Sequence, residues 1–305
     1  MTAVSESGAG HRGVILGFIA VTCIWGSTWL VIRDQLGVVP ASWSVAYRFL
    51  IAGLTMLAFA VVRRHSLRLD RAGFLFALGL GLSQFVLNFN FVYRAEMYIT
   101  SGIVAVIYAL LVVPNALFGF LFLGQRVTRG FIVGSVIALV GLGLLFVHEA
   151  HAGAGGVETL ALGLGLSLLG VLSASTANVM QATERSRRYP MASMLAWAML
   201  IGSLIDAAYA WATVGPPVFE MRLGYVAGLF YLGVVASAVA FTLYFGIIRE
   251  IGPAKAAYSS VLVPIIAMLL STLFEGYDWS LLAASGCALA LGGLVVAMRA
   301  RSPAR

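Results

Sequence analysis

Hydrophobic positions along this chain fall into blocks of roughly twenty residues, parted by short polar or charged connections. An apolar block of that length is long enough to cross the hydrocarbon core of a bilayer as one helix. The blocks predict spans near 13–33, 40–62, 72–93, 98–123, 130–147, 159–183, 191–213, 224–247, 253–274 and 277–298. The pattern also repeats. Pro114 returns as Pro264 at an offset of 150 residues, and Pro40 returns as Pro190. Tyr108 with Tyr258, Leu50 with Leu200 and Ile51 with Ile201 keep the same offset, and Gln125 and Glu275 close the matched stretches.

Each half therefore holds five spans, and an odd number turns the second half upside down relative to the first. The expected fold is all-α and membrane-integral, with ten transmembrane helices as two inverted five-helix repeats, an arrangement whose substrate sites lie between the repeats. The divisions are a tail at 1–12, a first repeat at 13–147, an outside linker at 148–158, a second repeat at 159–298 and a tail at 299–305.

Composition removes other classes. At 61% hydrophobic and 10% charged residues, the chain is no ordinary soluble domain. The net charge of +7 does not point to nucleic acid, because the basic residues sort by loop. Fifteen of them, Arg12 and Arg63 among them, fall on one side, against Arg33, Arg94 and Arg222 on the other. Positive loops stay cytoplasmic, so both termini are expected inside. The first span lacks a signal-peptidase site and is read as retained. Cys23 and Cys287 lie within spans and imply no disulfide framework.

Nothing in the chain reads as a catalytic centre or a cofactor motif. All four histidines lie in the tail or loops, and His148 with His151 lacks further metal ligands. No cofactor or metal is expected. Small-residue stripes, Gly130–Gly134–Ala138 and Ala284–Ala288–Gly292, suit close helix packing within one chain or at a homodimer seam. The protein is thus expected as a monomer or a homodimer in the lipid bilayer.

Polar residues within spans are costly and tend to face the bundle interior. Gln84 and Asn88 share a stripe of the third span, Ser175, Asn178 and Gln181 one of the sixth, and Thr22, Trp25 and Thr28 one of the first. Ser101, Tyr108 and Asn115 share a rhythm in the fourth, as do Ser237, Phe241 and Tyr244 in the eighth, with Tyr258 in the ninth. Amides donate and accept, and aromatic rings offer broad faces, which together suit a zwitterion. The candidate substrate site is Trp25, Gln84, Asn88, Tyr108, Asn178, Gln181, Tyr244 and Tyr258, in a neutral cavity. Pro114 and Pro264 are candidate hinges, because each lacks an N–H and clashes with the carbonyl four residues back, Leu110 or Ser260. Arg48 and Asp206 lie at similar depth, and an ion pair between them is open; a structural part, through pairing or snorkelling, is expected of them, with substrate or proton coupling as the alternative.

The chain resembles ten-helix, EamA-type members of the drug/metabolite transporter superfamily. The resemblance rests on Trp25-Gly26-Ser27, on Arg94 to Gly102 leading into the fourth span, on Pro114 and on Leu123 to Thr128. In the second half it rests on Ile251-Gly252-Pro253-Ala254, Pro264 and Glu275. Where many relatives carry Glu, this chain has Gln125. The resemblance implies a central cavity ringed by the first, third, fourth, sixth, eighth and ninth helices. It also implies export of amino acids, aromatic ones included, across a bacterial inner membrane by alternating access. The alternative is export of another amphipathic metabolite or drug.

Overall fold

The computed structural model describes residues 5–152, 156–256 and 259–300, and among them there is no strand. In chain order the helices are α1 (Ser5–Gln35), α2 (Ala41–Val62), α3 (Arg71–Leu80, Gly81–Leu87 and Asn88–Ala95 end to end) and α4 (Ser101–Ala109, then Val112–Leu123). They continue with α5 (Arg129–Ala152), α6 (Gly156–Gln181), α7 (Met191–Val214) and α8 (Leu223–Phe230, Tyr231–Val239 and Ala240–Ala256 end to end). The last are α9 (Ser259–Phe274) and α10 (Leu281–Arg299), and one helical turn at Glu184–Arg187 links α6 to α7. Eight helices are long and apolar enough to cross a membrane, and α9 and α10 carry shorter apolar stretches, Leu262–Phe274 and Leu281–Ala297. The connection expected over 148–158 is helical at both ends, and the tail expected over 1–12 is helical from Ser5.

The molecule is a multi-pass membrane protein by the distribution of its polarity. Leu204, Phe122 and Leu273 stand exposed, while Arg48, Glu96 and Asp206 are buried. That inverts the ordinary surface of a soluble protein and matches a lipid solvent.

The helix ends follow from local chemistry. Pro40 caps α2 at φ −55°, and Pro190 caps α7 at φ −57°, so the recurring prolines do the same job. Gly124 ends α4 with a left-handed φ of 65°, and Gly276 follows α9 at 67°. The residue after each glycine donates back into its helix, Gln125 N to Gly119 O and Tyr277 N to Ser271 O. By this measure Gln125 corresponds to Tyr277. The sequence match of Gln125 with Glu275 is two residues out of step, because α9 places two more residues than α4 between its proline and its cap.

Helix pairing has an internal symmetry. α2 packs on α7, α4 on α9, and α5 on α10. α1 packs on α9 and α8, just as α6 packs on α4 and α3; α3 lies on α7 as α8 lies on α2. Exchanging the two halves leaves this scheme unchanged. The α5–α10 seam is the tightest: a Cβ on Gly134 would run into the backbone of Gly293 and Ala297, and one on Gly293 into Ala138 and Gly134. Such approach lets backbones pack directly in lipid. Gly134 and Ala138 thus serve intrachain packing. Ala284, Ala288 and Gly292 do not, because they sit on the exposed face of α10 while Gly286 and Gly293 meet α5.

The third helix of each half contains a π-helical stretch, Gly81–Leu87 in α3 and Tyr231–Val239 in α8. Widened turns of this kind leave backbone groups loosely held and recur at functional sites.

Candidate substrate cavity

A cavity of about 110 Å³ lies among α1, α2, α3, α4, α6, α8 and α9. Six of the eight expected site residues line it: Trp25, Gln84, Asn88, Tyr108, Asn178 and Tyr244. Gln181 does not. It is the last residue of α6, about 4.5 Å further along the axis than Asn178 at 1.5 Å per residue, and its backbone carbonyl accepts from Ser186 Oγ. Tyr258 lies outside the described residues.

The wall is assembled by specific contacts. Trp25 donates its indole N–H to Ala236 O at 3.1 Å, within the π-helical stretch of α8. Its ring meets Tyr244 at 4.8 Å and Phe241 at 5.3 Å between centroids. Tyr108 donates to Asn88 Oδ1 at 2.7 Å and lies against Trp29. Gly170 leaves the notch that admits the Tyr108 hydroxyl, since a Cβ there would collide with it. Asn88 is thereby fixed, and its own amide nitrogen donates to Gln84 O at 3.3 Å. Among the described residues no hydrogen bond joins the side chain of Gln84 or Asn178 to a neighbour. They are amides with unspent donors and acceptors on a cavity wall.

The cavity is not neutral. Arg48 lines it, so the wall carries a cation. Its Nε donates to Ser237 Oγ at 3.0 Å, and its guanidinium lies 4.3 Å from the centre of the Phe89 ring. No ion pair joins it to Asp206. That carboxylate accepts instead from Asn90 Nδ2 at 2.7 Å, between α3 and α7.

The two prolines differ. α4 is interrupted at Leu110 and Leu111, one turn before Pro114, and the Leu110 carbonyl accepts from Val113 N at 2.8 Å. The carbonyl displaced by the proline ring is thus satisfied inside a tight turn. α9 continues through Pro264, which lines the cavity; Pro114 does not.

A second acidic feature escaped the sequence reading. Glu96, between α3 and α4, is fully buried with neither carboxylate oxygen hydrogen-bonded. Burial, then repulsion from Glu275, holds its carboxyl well above the ordinary range, while Arg33 and Arg48 pull the other way. Glu275 accepts from Ser101 and Ser271. These two acids are far apart in sequence, and only the fold brings them within reach of each other's charge.

The model of the EamA-like transporter family matches residues 11–147 and again residues 161–299. The chain belongs to the EamA-like transporter family. The two matches begin 150 residues apart, which is the offset of the prolines. Among its relatives, the uncharacterized inner membrane transporter YedA of Escherichia coli is 30% identical over 261 residues, covering 84% of this chain and 81% of that protein. Protein PagO of Salmonella typhimurium is 24% identical over 260 residues, covering 85% and 84%. A solved crystal structure superposes with a TM-score of 0.70 at 21% identity, covering 94% of this chain and 96% of that one.

Proposed function

We propose that this protein is an inner-membrane carrier that exports amino acids, aromatic ones included, by alternating access through the central cavity. The observation that carries the reading is the pair of unpartnered amides, Gln84 from the first half and Asn178 from the second, on the wall of an aromatic-lined cavity. A buried polar group without a partner is expensive, and a substrate's hydrogen bonds remove that cost. Membership in a transporter family and likeness to an inner membrane transporter support a carrier rather than an enzyme. A carrier leaves its substrate chemically unchanged.

The mechanism rests on two five-helix repeats related by a half-turn about an axis in the membrane plane, with both termini cytoplasmic. The exchange symmetry of the helix pairing and the doubled family match support it. The interrupted turn before Pro114 and the π-helical stretches of α3 and α8 are the places where these helices bend as access alternates. The cation at Arg48 argues against a cationic drug as substrate.

The test is uptake of a panel of labelled amino acids into vesicles containing the purified protein, with and without a pH gradient. Saturable, protein-dependent accumulation of unmodified aromatic amino acids is expected. Vesicles no more permeable than protein-free ones to every member of the panel would overturn the reading.

A further inference from the structure

Arg48 is the largest fully buried side chain among the described residues, yet it lines the cavity. Its Nε is satisfied by Ser237, while its Nη1 has no hydrogen-bond partner. It forms no ion pair: the two recorded among the described residues both belong to Arg222. The rings of Phe89 and Phe49, at 4.3 and 5.4 Å, cover part of the guanidinium. Cation–π contact offsets only a fraction of what desolvating a charge costs. Glu96 acts on the Arg48 charge from between α3 and α4 without pairing with it. A cation on the cavity wall that no ion pair neutralises is a site for an anion.

We infer that Arg48 is the anchor for a substrate carboxylate, and that the cavity selects monocarboxylates with an apolar or aromatic body whether or not they carry an α-amino group. This rests on the carrier reading and narrows its substrate class. The guanidinium fork matches the planar carboxylate, and a single arginine matches a single negative charge. No acidic side chain lines the cavity to answer an ammonium. Among the described lining residues an amino group meets amide oxygens, the Thr28 hydroxyl and the faces of Trp25, Tyr108 and Tyr244, so it is accommodated rather than demanded. The aromatic wall takes the body of the substrate. Ser237 is a positioning residue: it holds Nε and so fixes the guanidinium at the cavity wall.

Four compounds of one shape separate the contributions: phenylalanine, 3-phenylpropionate, phenylalanine amide and 3-phenylpropionamide. Their binding to the purified protein is measured by calorimetry, and their entry into protein-containing vesicles by counterflow. The two carboxylates are expected to be bound at least tenfold more tightly than the two amides, with the des-amino acid within a few-fold of phenylalanine. In Arg48→Gln the ratio of carboxylate to amide affinity falls toward one, and in Arg48→Lys part of it returns. If Arg48 only holds helices together, its replacement lowers all four equally and the ratio stays put. If Arg48→Gln does not fold, the wild-type comparison decides alone: equal affinity for acids and amides overturns the anchor. If amides and acids are all transported alike, the carrier stands and the carboxylate site falls. If none of the four is bound or moved, the amino-acid reading falls with it.

Discussion

Asn90 donates its side-chain amide to Asp206 Oδ1 at 2.7 Å and so ties α3 to α7 away from the cavity. The same nitrogen donates to Val86 O, within the π-helical stretch. Two residues on from Asn88, it does a different job: Asn88 is held at the cavity by Tyr108, Asn90 braces the scaffold behind it.

Replacing Asn90 by Leu removes the partner of a buried carboxyl whose other oxygen already has none. A loss of about 1–3 kcal/mol is expected, seen as a lower thermal midpoint in detergent. Asp206→Asn keeps an acceptor for Asn90 and should cost less. Equal midpoints for Asn90→Leu and the parent would show that the bond carries no stability.

The α5–α10 seam should tolerate no side chain at Gly134, because a Cβ there overlaps the backbone of Ala297 and Gly293. Gly134→Leu is expected to lower the yield of folded protein severely. Gly143, on the same helix, has nothing within 4 Å of its would-be Cβ. Gly143→Ala should be neutral or raise stability by roughly 0.5–1 kcal/mol, as for Gly to Ala in a helix interior. The comparison of the two midpoints measures how tight the seam is.

Orientation is checked by cysteine labelling in intact cells, in a background with Cys23 and Cys287 replaced. Arg12→Cys and Arg301→Cys should resist a membrane-impermeant maleimide applied from outside. Asp278→Cys, between α9 and α10, should react. Labelling of Arg12→Cys from outside would reverse the topology.

Much of the site was legible because lipid makes polarity conspicuous. Gln84, Asn88 and Asn178 stand out in apolar blocks, and amides four residues apart share a helix face. Gln181 belongs to the same stripe as Asn178, but a stripe does not say where along it the cavity ends. Arg48 was legible as a buried charge and not as a cavity residue, since depth along α2 does not give the direction of its side chain. Asp206 at similar depth suggested a partner, yet Asn90 reaches it first. The π-helical stretches have no compositional signal, as Gly81–Leu87 reads like any apolar helix. The burial of Glu96 was hidden for another reason. A glutamate in a short connection looks solvated until Glu275, Arg33 and Arg48 are folded around it.

Substrate binding between the halves on Gln84 and Asn178 is what makes the cavity a transport site. It is tested most directly by counterflow of phenylalanine in vesicles holding equal amounts of folded parent, Gln84→Leu, Asn178→Leu and Asn90→Leu protein. Leucine keeps apolar bulk and deletes the hydrogen bonds. Transport is expected to fall about tenfold or more in the two cavity variants, as when about 1–3 kcal/mol of polar pairing is lost, and to change less in Asn90→Leu. Parent-like rates for Gln84→Leu and Asn178→Leu would contradict it and leave those amides as packing residues.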